Sequence, residues 1–127
     1  MDPISAVQAA VYAVVVDTVA PVPVFDRWAA DCTRFPYVSM GAASWDHEDD
    51  KTERALDIRL GIHVWDKAQT RAPAQAIAFA IEKALHRNAL SPLGVTVSDV
   101  QITHTAVIED LSKAHQVVST YKISISV

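Results

Sequence analysis

The strongest constraint on the fold of this chain is a strict alternation in its middle. Leu56, Ile58, Leu60, Ile62 and Val64 are apolar, and Asp57, Arg59, Gly61, His63 and Trp65 interleave with them. Side chains on a strand point to opposite faces with period two, so this segment predicts a strand with one face in a core and the other wet. A sheet with one apolar face needs a second layer to cover it. Helical spacing on either side of the strand supplies that layer.

Asp2-Pro3 predicts a helix start, because Asp accepts from free amides and Pro suits the first turn. Ile4, Val7, Val11, Val14 and Val15 then share one face. Ala6, Ala9, Ala13 and Val16 share the opposite one, with no charge between Asp2 and Asp17. A helix apolar all round is normally covered on both sides. Its own sheet covers one side, and a neighbouring subunit is the candidate for the other. From Thr70 to Arg87 the spacing is again helical: Ala74, Ile77, Ala78, Ile81, Ala84 and Leu85 share a face, while Phe79 points away as a candidate interface knob.

Pro21 and Pro23 end the first helix and force an extended segment from Val24 to Trp28. Phe35 to Met40 reads as a strand, and the acidic run Trp45 to Lys51 as a hairpin loop. Two more strands are expected near Val95 to Ile108 and Val117 to Val127, joined by the polar segment from Glu109 to His115. In the last, Val117, Ser119, Tyr121, Ile123, Ile125 and Val127 share a face. The expectation is one domain, 1–127, of α+β class: an antiparallel sheet of about four strands with two helices packed on one face.

Composition narrows what such a domain can do. At 127 residues, about two-thirds of the surface of the unfolded chain can be buried, enough for a core without disulfides or metal. Apolar residues make up 50% and charged residues only 20%, an imbalance that points to an oligomer. The net charge of −4 argues against broad phosphate-backbone binding. Cys32 is the only cysteine, so a disulfide framework or cysteine zinc site within one chain is excluded. The start is acidic where a signal peptide is basic, and Ile4 to Val16 is too short to span a bilayer, so no membrane role is expected.

Catalytic signals are sparse. Three glycines, Gly41, Gly61 and Gly94, cannot build a phosphate cradle. There is no G-x-S-x-G elbow. Asp46, His47, Glu48, Asp49 and Asp50, with His63, are the candidate metal ligands, but the run lacks the alternation and turn glycine of an EF-hand. A solvated hairpin tip is the preferred reading, and contact with a basic partner the preferred functional use for it. Asp57, Arg59 and His63 form a polar strand face suited to cross-strand pairing. Cys32 has no neighbour that would activate it, and His104 and His115 form no recognisable site. Trp28, Trp45 and Trp65 stand at strand ends, where aromatics pack at sheet margins or in subunit contacts. No cofactor is expected.

Several segments together resemble the small tail completion, or tail terminator, proteins of long-tailed phages and phage-like particles. They are Met1 to Tyr12, Val24-Phe25-Asp26, Phe35-Pro36-Tyr37-Val38, Asp50-Lys51-Thr52-Glu53-Arg54 and His63-Val64-Trp65. Ala76-Ile77, Ala80-Ile81, Ala84-Leu85-His86, Leu90 and Leu93-Gly94 complete the match, which weakens after about Thr103. The resemblance implies a non-enzymatic ring, commonly hexameric, capping the head-proximal end of the tail tube. Such a ring ends tube polymerisation and meets the neck or head-completion proteins. Its partners are then other copies of itself, the tail tube protein and the neck proteins, and DNA can pass through without specific binding. The implied location is a virion or phage-like particle, assembled in the bacterial cytoplasm. A neck or head-closure ring is the alternative within the class, and a small metal-dependent hydrolase or ligand-binding domain the alternative outside it.

Overall fold

The computed structural model of the chain describes residues 2–26, 34–47, 55–109 and 114–126. Trp28, Cys32, Glu48, Asp49 and Asp50 lie outside these residues.

Helix α1 spans Pro3–Val19. Its first turn is capped by Asp2, which accepts from the Ser5 N–H at 2.8 Å and from the Ser5 hydroxyl at 2.7 Å. The chain then passes through strands β1 (Val24–Phe25), β2 (Tyr37–His47) and β3 (Ala55–Asp66), helix α2 (Ala72–Leu85), and strands β4 (Thr96–Glu109) and β5 (His115–Ser126). The sheet order is β1-β2-β3-β5-β4. Every adjacent pair is antiparallel except β1 with β2, which is parallel.

The α+β class is as the alternation predicts, with a fifth strand in addition to the four expected. A two-residue strand carries no periodicity, so β1 is invisible to a period-two reading. It is held because Pro23 O accepts from the Val38 N–H at 2.9 Å. Strand β2 also runs farther than expected, to His47, so Trp45, Asp46 and His47 are strand residues and not loop. A register shift between Met40 and Ala43 breaks the alternation there and hides the second half of the strand.

Both helices cover the same face of the sheet. Val7, Val11 and Val15 of α1 and Ala74, Ala78, Ile81 and Leu85 of α2 join one apolar cluster with Val38, Met40, Ile58, Leu60, Ile62, Val64, Val117, Tyr121, Ile123 and Ile125. Helix α2 ends at Leu85, where Asn88 Nδ2 donates to the carbonyls of Lys83 and Ala84. Arg87 then adopts the left-handed backbone conformation, φ 60°. That turn lays the chain along the β4 edge: the Arg87 N–H donates to Val100 O at 2.7 Å, and His86 Nδ1 accepts from the Ile102 N–H at 3.1 Å. At the other end of α2, Arg71 pairs with Glu109 at 2.8 Å, tying the helix start to the end of β4.

Tyr121 sits in the core with its hydroxyl buried and without a hydrogen-bond partner among the described residues. Burial, reinforced by the charge of Glu82, pushes its phenol far above the ordinary value. A buried hydroxyl without a partner is destabilising. Tyr121→Phe is therefore expected to raise stability by about 1 kcal/mol in urea unfolding. A loss of stability would show that the hydroxyl is satisfied. The hydrogen bond and charge of Arg71 hold the Glu109 carboxyl below its ordinary value of 4.5. A lowered folded-state value stabilises above the ordinary value, and the contribution is lost as the pH falls through the folded one. The stability gap between wild type and Glu109→Gln should thus be largest at neutral pH and close as the pH drops below 4.5.

Candidate subunit interface

Three surfaces carry the residues singled out in the sequence. The first is the flank of α1 away from the core. Ala9, Ala13 and Val16 are exposed, Val16 at 39%, and Tyr12 joins them at 36%. Ala6 does not: at 4% exposure it is buried. Ile4, Ala6 and Val7 are all enclosed, so the first turns of α1 are covered on several sides and the open flank begins at Ala9. The Tyr12 hydroxyl donates to Val24 O at 3.1 Å, which places this flank on the β1 side of the molecule.

The second surface lies at the opposite edge of the sheet. Phe79 is 58% exposed on α2 and borders a groove of about 530 Å³ between α2 and the end of the sheet. Ala72, Gln75, Ala76, Thr105 and Val107 line it with Phe79. Lys83 Nζ lies 5.9 Å from the Phe79 ring centroid. The groove was not legible from spacing, because Thr105 and Val107 come from a different element. Its one visible signal was Phe79, an aromatic on the polar side of an amphipathic helix.

The third surface is the sheet face without helices, where Asp57, Arg59 and His63 project from β3. Arg59 is exposed, but Asp57 and His63 are less open than an alternating strand suggests. Asp57 is buried at 5% exposure; it accepts from the Ser124 hydroxyl at 2.7 Å and lies 3.6 Å from Lys122 Nζ. The reason is cross-strand: Ser124 stands opposite Asp57, and Lys122 stands opposite its neighbour Arg59, both on β5. Arg59 pairs with Asp46 at 2.5 Å on the exposed margin. The His63 ring N–H donates to Gln116 Oε1 at 2.7 Å, and the ring stacks on Trp65 at 6.0 Å. Trp65 in turn donates to the Ser39 hydroxyl at 3.0 Å and stacks on Tyr37.

Of the candidate metal ligands, the described ones, Asp46, His47 and His63, do not converge. Asp46 stands opposite Asp57, and His63 lies six residues farther along β3, about 20 Å away. Among the described residues no group of three His, Cys, Asp or Glu side chains is placed to hold a metal ion. The sequence reading places Trp45 at a strand end but does not show which face of the sheet it joins. It stands opposite the core residue Ile58, on the helix face of the sheet, yet remains 48% exposed. The alternation Ala43, Trp45, His47 was the available signal.

His63 lies so close over Gly41 that a Cβ there would run into the imidazole. The ring is held by Gln116 and Trp65 and has little freedom to yield. Gly41→Ala should therefore cost about 1–3 kcal/mol, the range for overpacking. At Gly61 the nearest atom to an added Cβ is 3.5 Å away, an ordinary contact, so Gly61→Ala should be tolerated. Equal unfolding midpoints for the two variants would show that His63 moves freely.

The profile of the tail completion protein gp17 family matches residues 3–126. No curated protein matches the sequence. Among solved structures, a chain from the virion of a native gene transfer agent particle is similar, with a TM-score of 0.86. The similarity covers 98% of this chain and 97% of that one at 21% identity, a likeness of fold. With all but the extreme ends of the sequence matched, this chain belongs to the tail completion protein gp17 family: it is a structural component of a phage-type tail and not an enzyme.

Proposed function

We propose that the protein is a tail terminator, whose copies close into a ring on the head-proximal end of the tail tube. The ring ends tube polymerisation and presents a surface to the neck or head-completion proteins. The particle can be a phage, a prophage-derived particle or a gene transfer agent, and six copies is the expected number.

The observation that carries this reading is the pair of unlike apolar flanks. Ala9, Ala13 and Val16 lie on the β1 side of the molecule, and Phe79 with its groove on the β4 side. Self-association through one patch makes a closed dimer, whereas two different patches make head-to-tail contacts that close into a ring when the rotation fits. Small alanines let a neighbouring helix approach closely. Asp17 on α1 and Lys83 on α2 form no ion pair with described residues of their own subunit and supply opposite charges for the two sides.

The uncovered sheet face suits a conduit. Arg59 is matched by Asp46, and Lys122 by Asp57, so the face offers DNA little unpaired positive charge to grip. Asp46 and His47, at the end of β2, are followed in the sequence by the acidic residues Glu48, Asp49 and Asp50, a run whose charge suits docking to a basic partner ring.

Native mass spectrometry of the protein, alone and with purified tail tube protein, tests the ring. Rings of defined mass that bind tube ends are expected, and a strict monomer in both conditions overturns the reading. Ala9→Glu should abolish rings while leaving the melting temperature within a few degrees, since an exposed substitution shifts stability by about 0.5 kcal/mol or less. Rings unchanged in Ala9→Glu would remove the α1 flank from the contact.

A further inference from the structure

Both edges of the sheet are open over part of their length. Strand β1 pairs only with Val38 and Ser39, so beyond them the β1-side edge of β2 has no strand partner among the described residues. On the other side, the segment after α2 closes the β4 edge at Val100 and Ile102. From Thr103 to Glu109 that edge again has no strand partner among the described residues. This stretch, Thr103-His104-Thr105-Ala106-Val107-Ile108, carries no formal charge and is rich in β-formers, with Ile108 47% exposed. Bare edges of that kind pair with other chains.

We propose that the second half of β2 from a neighbouring copy adds to the free end of β4, and that its Trp45 seats in the Phe79 groove. The proposal rests on the ring reading above and specifies how its subunits join. Three observations select a second copy as the occupant. First, the direction is right. Strands β2, β3, β5 and β4 are successively antiparallel, so β2 of a copy with the same axial sense meets β4 antiparallel, the slightly more stable pairing.

Second, knob and groove share a face. Trp45 stands opposite Ile58, and Thr105 and Val107 of the groove stand opposite Ser119 and Val117; Ile58 and Val117 belong to the helix-covered core. Strand addition therefore carries the half-exposed indole to the groove side of the sheet, where a tryptophan can bury about 150–250 Å². Main-chain bonds along the edge and a pocket for one side chain are the two parts of strand-addition recognition.

Third, the offset closes. Trp45 lies in the row Trp45, Ile58, Ile123, Val100, whereas the groove rows cross β5 at Ser119 and Val117, four and six residues earlier. At about 3.4 Å per residue the stagger is about 14–20 Å, against about 19 Å for four strand spacings. The strands then incline to the ring axis by about 40°, within the range of closed barrels.

The test uses two full-length variants that each spoil one side, Trp45→Arg and Phe79→Arg. Both residues are exposed, and thermal melts near wild type confirm folding. At concentrations where the wild type forms rings, each variant alone should be monomeric. Mixed, they should form dimers containing one of each and nothing larger, because one intact groove and one intact Trp45 remain to meet. Trp45→Phe should keep its rings. Rings in either single variant, or no unlike dimers in the mixture, overturn the proposal while leaving the ring reading intact. A wild type that stays monomeric with tube protein present overturns the ring reading itself.

Discussion

Burial of β3 on one face only is the constraint from which the rest of the molecule follows. Leu56, Ile58, Leu60, Ile62 and Val64 are all at or below 8% exposure, and such a row is stable only beneath a cover. Helices α1 and α2 supply it from one side, so their apolar stripes point into the sheet, and their other sides and the second sheet face are left for contacts. Because β3 is central, with β2 on one side and β5 on the other, its register also sets where the edge strands begin and end. Had the alternation been a continuous apolar run, both faces would need helices and no polar sheet face would remain.

Polar groups at the ends of elements fix how this cover sits. Asp2 starts α1, Arg71 and Glu109 tie the start of α2 to the sheet, and Asn88 with the left-handed Arg87 ends it. None of these exposed contacts contributes much alone. Together they set the direction in which α2 crosses the sheet, and with it the groove that opens beside Phe79.

Much of this architecture is legible in the sequence, for reasons of length. Strand β3 and helix α2 repeat their period several times, and periodicity identifies them. Strand β1 has two residues and therefore no period. The second half of β2 is concealed by the irregularity between Met40 and Ala43, which makes Trp45 read as part of an acidic loop. The back of α1 is visible as a charge-free stripe, but a helical wheel cannot tell that Ala6 is enclosed while Ala9 is open, since that depends on what lies over the first turns. Asp57 gives the opposite lesson. It alternates as a solvent-facing residue, and its burial comes from Ser124 and Lys122, far away in the chain. The groove is the least legible feature, because it exists only where α2, β4 and β5 meet.

Two hydroxyl residues on β4 have a further consequence. Ser98 and Thr103 sit at the register shifts of that strand, and each donates its side-chain hydroxyl to a β5 carbonyl, at Ser124 and Thr120. Each extra residue is thereby pinned in place, and a slip of β4 against β5 would forfeit both bonds. An irregular strand is a poor template for indefinite stacking, since identical copies cannot lie flat along it. The two pinned irregularities hold β4 to a single register against β5, and with it fix which residues of the edge stand free.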